Sequence, residues 1–66
     1  MHTTTYSVPG ISCEHCRIAI TGEVETVDGV TAVDVDLAAK VVTVTGAGFQ
    51  DAAVRDAIDT AGYDAA

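Results

Sequence analysis

The stretch VTAVDVDLAAKVVTVT, residues 30–45, alternates apolar and polar side chains in two consecutive runs. In residues 30–37, Val33, Val35 and Leu37 fall on one face, and Asp34 and Asp36 fall on the other. In residues 40–45, Val42 and Val44 share a face. Alternation at every second residue is typical of a strand that buries one face. The runs meet at Ala38-Ala39, so the stretch predicts a β-hairpin with one apolar side.

Segments with helical spacing lie on both sides of this hairpin. Before it, an apolar stripe runs through residues 14–27, with Ser12 expected as the N-cap. Gly22 interrupts this helix, and we expect close packing against the sheet to explain it. After the hairpin, a second stripe covers residues 50–61, and Gly62 follows as a natural C-cap.

Two further strands complete the predicted fold. Residues 3–8 alternate and end at a Pro-Gly pair, and residues 63–66 leave room for a short final strand. The order is therefore βαββαβ, with two helices to cover one apolar sheet face. This order predicts a ferredoxin-like α+β two-layer sandwich, in which an antiparallel four-stranded sheet carries both helices on one face. We expect residues 1–66 to form a single domain.

The charge and hydropathy of the chain exclude several classes of protein. Its 66 residues carry a net charge of -7, and the basic residues Arg17, Lys40 and Arg55 are scattered. A nucleic-acid binder needs a basic stripe, so none is expected as a partner. No apolar run approaches the ~20 residues of a membrane span, and MHTTTYSVPG lacks the features of a signal peptide. We expect a cytoplasmic protein that does not insert into membranes, either free-standing or excised from a larger chain.

The only two cysteines lie three residues apart, as Cys13-Glu14-His15-Cys16, where the first loop becomes a helix. A disulfide across so short a loop would stabilise the fold very little, and a reducing compartment would keep it open. A helix N-terminus favours thiolates, the metal-binding form of cysteine. Two thiolates without further sulfur ligands suit a soft ion such as Cu(I) and do not complete a structural zinc site.

A CxxC motif also serves thiol-disulfide chemistry in thioredoxin-like proteins. Such a fold usually needs a longer chain and a proline opposite the active site. Here the only proline is Pro9, which precedes the motif. Oxidoreductase activity is therefore the weaker alternative, although the motif itself does not exclude it.

The segment VPGISCEHC, residues 8–16, resembles the G-M-x-C-x-x-C loop of heavy-metal-associated domains. Ile11 stands where the family usually has methionine, and an apolar residue of similar size should pack under the loop equally well. The resemblance extends over nearly the whole chain. Three other segments agree with the family pattern: VDGV at residues 27–30, AI at residues 57–58 and AGY at residues 61–63.

The resemblance implies a function as well as a fold. A free-standing domain of this kind resembles the CopZ-type copper chaperones, which are carriers and not enzymes. It implies that Cys13 and Cys16 bind Cu(I) and that the ion passes by thiolate exchange to the soluble domain of a copper-transporting P-type ATPase. Some relatives deliver copper to a copper-responsive repressor instead.

Two residues near the motif have open interpretations. His15 is either a third ligand, in a monomer or across a metal-bridged dimer, or an exposed polar residue of the loop. Tyr63 matches a tyrosine that such chaperones place near the metal loop, where its hydroxyl could shield or orient the thiolates. It could equally be a core aromatic residue.

Three alternative functions are compatible with the sequence. The first is a carrier of zinc, cadmium or mercury on the same fold, because a CxxC pair alone does not select the metal. The second is a thiol-disulfide oxidoreductase. The third is a metal-binding domain within a transport ATPase.

Overall fold

The computed structural model describes residues 1–65 and contains three strands and two helices in the order β1-α1-β2-β3-α2. Their bounds are β1 His2–Ser7, α1 Glu14–Val24, β2 Val30–Asp36, β3 Val41–Gly46 and α2 Asp51–Thr60. The sheet is antiparallel with the order β1-β3-β2. This arrangement confirms the predicted ferredoxin-like α+β fold. Neither of the two helices described is long and apolar enough to cross a membrane.

The predicted fourth strand is not formed by the residues that the structure describes. Residues 63–65 have no strand conformation, and Ala66, the last residue of that prediction, lies outside the described residues. The backbone N–H of Tyr63 donates to the carbonyl of Ile58, so it completes the end of α2 instead of pairing with β1. Tyr63 and Ala65 nevertheless pack against the core. The described sheet therefore has three strands where four were expected.

The core-facing residues of the three strands align across the sheet. Tyr6 on β1 and Val35 on β2 both pair with Val42 on the central strand β3. Val42, Val44 and Tyr6 are almost completely buried, as the alternation predicts for one apolar face. The β2–β3 hairpin thus has the predicted position, with a register shift between Val30 and Ala32.

Both helices bury the apolar stripes that their spacing predicts. The buried residues are Cys16, Ile20 and Val24 on α1, and Val54, Ala57 and Ile58 on α2. The first helix was expected to reach residue 27 but ends at Val24. Its last turns tighten, because Val27 N–H donates to the Val24 carbonyl and Thr26 bonds to the Glu23 carbonyl. Val27 still packs on the core, which is why the apolar pattern continues past the helix.

Two local predictions about the first helix are wrong. Its N-cap is Cys13 and not Ser12, since the Cys13 carbonyl accepts the bonds from the N–H groups of Cys16 and Arg17. Gly22 was expected to pack closely on the sheet. It is exposed instead, and a Cβ placed there would meet no atom within 4 Å.

Candidate metal site

The two thiols converge at the N-terminus of α1. Cys13, in extended backbone conformation (φ -150°, ψ 171°), is exposed at the N-cap, whereas Cys16 is buried in the first helical turn. Both are free, and their Sγ atoms are 3.4 Å apart. One sulfur thus reaches solvent while the other is held by the core.

The inner thiol is stabilised in its ionised form. A hydrogen bond with the Tyr63 side chain is the largest cause, followed by the Ser12 backbone; together with bonds to Cys13 they outweigh burial and lower the pKa of Cys16 to about 6. Hydrogen bonds to a charged form favour that form. Cys16 is therefore mainly a thiolate at neutral pH, which is the form that binds a metal ion.

The turn at the end of α2 places the Tyr63 side chain beside the cysteine loop. Gly62 adopts a left-handed conformation (φ 97°), and two hydrogen bonds reverse the chain: Gly62 N–H to Asp59 O at 2.9 Å and Tyr63 N–H to Ile58 O at 3.2 Å. This is the Schellman pattern of helix termination. The Tyr63 ring then lies beside Gly10, 3.8 Å from where a Cβ would stand. The bond to Cys16 raises the pKa of Tyr63, so its hydroxyl remains a donor.

His15 takes no part in a group of three ligands. It is exposed in the first turn of α1, where its charge helps to lower the pKa of Glu14, after the larger effects of Arg17. Within residues 1–65, no three His, Cys, Asp or Glu side chains are close enough to hold one ion together. The described part of the chain therefore offers a two-sulfur site.

The residues before Cys13 are anchored from two directions. Ile11 is fully buried under the loop, at the position where the family usually has methionine. From the hairpin tip, the Lys40 carbonyl accepts a bond from Val8 N–H at 2.9 Å, and its ammonium lies 3.5 Å from the Pro9 carbonyl. This role of Lys40 has no signal in the sequence, because no local pattern connects a hairpin tip with a distant loop.

The site as a whole combines soft ligands with an open side. Two sulfurs satisfy an ion of low coordination number, and the remaining ligands of a closed tetrahedral zinc site are not supplied by residues 1–65. Because Cys13 is exposed, a ligand from outside can reach a bound ion without unfolding the loop. The arrangement therefore suits reversible binding of a soft metal ion.

The fold and the site together define a metal-binding domain. The model of the heavy-metal-associated domain family matches residues 5–64, and the chain belongs to that family.

Particular relatives are similar over nearly their full lengths. The copper chaperone CopZ of Staphylococcus saprophyticus is 41% identical, with 97% of both chains covered. A solved structure of a CopZ metallochaperone is 33% identical with a TM-score of 0.92, covering 98% of this chain and 100% of that one. The copper chaperone Atx1 from Synechocystis PCC6803, in its Cu2 form, is 39% identical with a TM-score of 0.84, covering 96% and 98%.

Proposed function

We propose that this chain is a copper chaperone that binds Cu(I) through the thiolates of Cys13 and Cys16. The observation that carries the proposal is the pair of free sulfurs 3.4 Å apart, of which the inner one is held as a thiolate at neutral pH. The copper chaperones among its relatives support the identity of the metal. Tyr63 acts by donating to Cys16, and His15 remains outside the ligand set.

The different exposure of the two sulfurs gives the transfer a direction. An incoming thiolate approaches the bound ion from the Cys13 side, since Cys16 is covered by the core. A new Cu–S bond forms, the Cu–S bond to Cys13 breaks, and the released thiolate takes up a proton. A second thiolate of the acceptor then forms a Cu–S bond as the bond to Cys16 breaks, and Cys16 is released as a thiolate. The oxidation state of the ion does not change, so the protein acts as a carrier and not as an enzyme.

The proposed recipient is the soluble metal-binding domain of a copper-transporting P-type ATPase, with a copper-responsive repressor as the alternative. Delivery to such a domain places the chain in the cytoplasm, acting as one domain over residues 1–66. The net charge of -7 favours a recipient with basic residues around its own cysteines.

The low pKa of Cys16 is also compatible with a second function, that of a thiol-disulfide oxidoreductase. A reactive cysteine of this kind must be accessible to the disulfide that it attacks. In this chain the thiol with the lowered pKa, Cys16, is the buried one, whereas the exposed thiol is Cys13. The geometry therefore favours metal binding over disulfide exchange.

An anaerobic titration against competing chelators tests the copper proposal. We expect one Cu(I) per chain, bound much more tightly than Zn(II). Cys13→Ser should weaken Cu(I) binding far more than tenfold, because it removes one of two ligands while the fold, followed by circular dichroism, stays intact. His15→Ala is the matched control in the same loop, and its effect should stay below tenfold, or ~1.4 kcal/mol.

Three results would contradict the proposal or a part of it. Equal affinities for Zn(II) and Cu(I) would remove the copper assignment. Full Cu(I) affinity in Cys13→Ser would show that the ligand set is wrong. A large loss in His15→Ala, or loss of a metal-dependent dimer in that variant, would make His15 a ligand.

A further inference from the structure

A carboxylate lies between the two cysteines of the metal loop. Glu14 is the first residue of α1; it directly follows Cys13 and shares the first helical turn with Cys16. Carboxylate oxygens are ordinary zinc ligands beside cysteine sulfur, whereas Cu(I) prefers soft sulfur ligands. Zinc would therefore gain more than copper if Glu14 joined the two sulfurs. The choice of metal thus depends on where this carboxylate is held.

The structure holds the Glu14 side chain against Arg17. The Arg17 guanidinium donates from Nε to Glu14 Oε2 at 2.9 Å, and from Nη2 to the same oxygen. Arg17 follows Glu14 by three residues, so this pair draws the carboxylate along the helix and away from the N-terminal end that carries the sulfurs. In agreement, Glu14 forms no group of three ligands with the two cysteines within residues 1–65.

Without this pair, two effects would direct the Glu14 side chain toward the cysteines. The Cα–Cβ bonds of a helix tilt toward its N-terminus, so an unrestrained side chain leans back toward the preceding residues. The partial positive charge at the same end of the helix attracts a carboxylate. For the first residue of α1, both effects point to the end of the helix at which Cys13 lies.

The approach of a carboxylate would affect the two metal ions differently. A Cu(I) ion bound by two thiolates is already an anionic complex, and a carboxylate beside it is repelled. A Zn(II) ion with the same two thiolates is uncharged overall and has open positions that a carboxylate can fill. Movement of Glu14 toward the sulfurs would therefore raise the affinity for Zn(II) without raising the affinity for Cu(I).

We propose that Arg17 determines the metal specificity of the site by withholding the Glu14 carboxylate from Zn(II). Arg17 acts through Glu14 and is a positioning residue, not a ligand. Selectivity is a difference between two affinities, and Arg17 contributes by limiting the affinity for the competing metal. The pair is exposed, with 43% of the Arg17 side chain and 64% of the Glu14 side chain accessible, so its effect is about fivefold at most. This inference rests on the proposed copper-carrier function and names a residue that restricts zinc binding at the same site.

The test compares metal affinities of the wild type, Arg17→Ala, Glu14→Gln and the double variant Arg17→Ala/Glu14→Gln. Each protein is titrated anaerobically with Zn(II) and with Cu(I) against chelators. We expect Arg17→Ala to bind Zn(II) about threefold more tightly than the wild type and to gain nothing for Cu(I). The double variant should return to the wild-type affinity for Zn(II), because an amide does not replace the carboxylate as a zinc ligand.

A second measurement follows the carboxylate itself. The NMR resonance of the Glu14 carboxyl carbon should shift on addition of Zn(II) in Arg17→Ala and stay in place in the wild type. If Arg17 only supported the helix, its loss would lower the melting temperature without moving this resonance. The readout requires no copper.

Arg55→Ala is the matched control, since it removes the ion pair with Asp51 on α2 and changes the net charge by the same amount. Its Zn(II) affinity should stay at the wild-type value. An equal gain in Arg55→Ala would overturn the proposal, because general charge would then explain the effect. An unchanged Zn(II) affinity in Arg17→Ala, or a gain that persists in the double variant, would do the same. A wild type that binds Zn(II) as tightly as Cu(I) would instead refute the proposed function, and the resonance of Glu14 would still decide the role of Arg17.

Discussion

At the scale of single residues, the hydroxyl of Tyr63 controls the protonation of a thiol on the opposite side of the loop. Its hydrogen bond is the largest cause of the low pKa of Cys16, and the Ser12 backbone adds to it. A phenol that keeps its own proton is well suited to this role, since the pKa of Tyr63 is raised by the same bond. The thiolate is thus available at neutral pH without a nearby cationic side chain.

We expect Tyr63→Phe to raise the pKa of Cys16 above the value of about 6 in the metal-free protein, toward the ordinary 9.0. The change removes the main donor and keeps the ring. The measurement is the ultraviolet absorbance of the thiolate as a function of pH, with Cys13→Ser as background to isolate Cys16. His15→Ala in that background should leave the curve unchanged. An unchanged titration in Tyr63→Phe would show that the backbone of Ser12 suffices.

The same shift predicts how the stability of the metal-free protein depends on pH. The folded thiol has a pKa of about 6 and an ordinary thiol 9.0, so the unfolded chain binds more protons between these values. The resulting stabilisation is complete above pH ~9 and is lost as the pH falls through ~6. In Tyr63→Phe, the pH range over which the free energy of unfolding changes should become narrower. Urea unfolding at several pH values would measure this change.

At the scale of secondary-structure elements, the end of α2 is as much a part of the site as the start of α1. The turn at Gly62 places Tyr63 against the metal loop, and only a residue that tolerates a φ of 97° keeps that turn unstrained. The site is therefore built from the ends of both helices. The start of α1 carries the two sulfurs, and the residue after the end of α2, Tyr63, carries the hydroxyl that donates to Cys16.

We expect Gly62→Ala to disturb the site as well as the fold. Left-handed backbone costs an alanine ~1–2 kcal/mol, and relief of this strain would move Tyr63 away from Cys16. Gly48→Ala is the matched control, because Gly48 also has a positive φ (76°) and a Cβ there has no close neighbour. Both variants should lose stability, but only Gly62→Ala should raise the pKa of Cys16. Equal thiol titrations in the two variants would contradict this coupling.

The elements with strong periodicity could be predicted from the sequence, and those set by contacts between distant residues could not. Alternation predicts the hairpin because each strand buries one face, and the apolar stripes predict both helices for the same reason. The same rule placed the end of the first helix too late, since Val27 packs against the core from beyond the helix end. The predicted final strand had few residues in which to show any pattern.

Only the local part of the metal site could likewise be predicted from the sequence. The CxxC spacing and its position at a helix start point to a dithiol site from the sequence alone. The bond between Tyr63 and Cys16 and the contact of Lys40 with Pro9 depend on the tertiary fold, and only the family resemblance indicated Tyr63. The stacking of His2 on Phe49, with ring centroids 4.6 Å apart, likewise has no local signal.

At the scale of the whole molecule, the net charge of -7 is unevenly distributed along the chain. The acidic residues lie mainly outside the segment that holds the cysteines, and Glu14 within it is paired with Arg17. The long-range field of such a charge acts mainly on the rate at which a charged partner is encountered. Because the screening length is ~8 Å at physiological salt, charges near the docking site matter most.

We therefore expect Cu(I) transfer to a basic acceptor domain to slow as ionic strength rises, and Glu14→Lys to slow it further by reversing a charge beside the cysteines. Stopped-flow transfer at two salt concentrations measures both effects. The uncharged variant Glu14→Gln, which also loses the pair with Arg17, separates the effect of charge from that of the pair. A rate independent of salt would mean that the acidity serves solubility alone.

The hydrogen bond between Tyr63 and Cys16 also has a consequence for the newly made chain. Synthesis proceeds from the N-terminus, so both cysteines are incorporated before Tyr63 is added. Until α2 has closed on its last turn, Cys16 lacks the main donor that stabilises its thiolate. The thiolate of Cys16 therefore gains its main stabilisation only when the final segment folds. Maturation of the site is in this way coupled to completion of the fold.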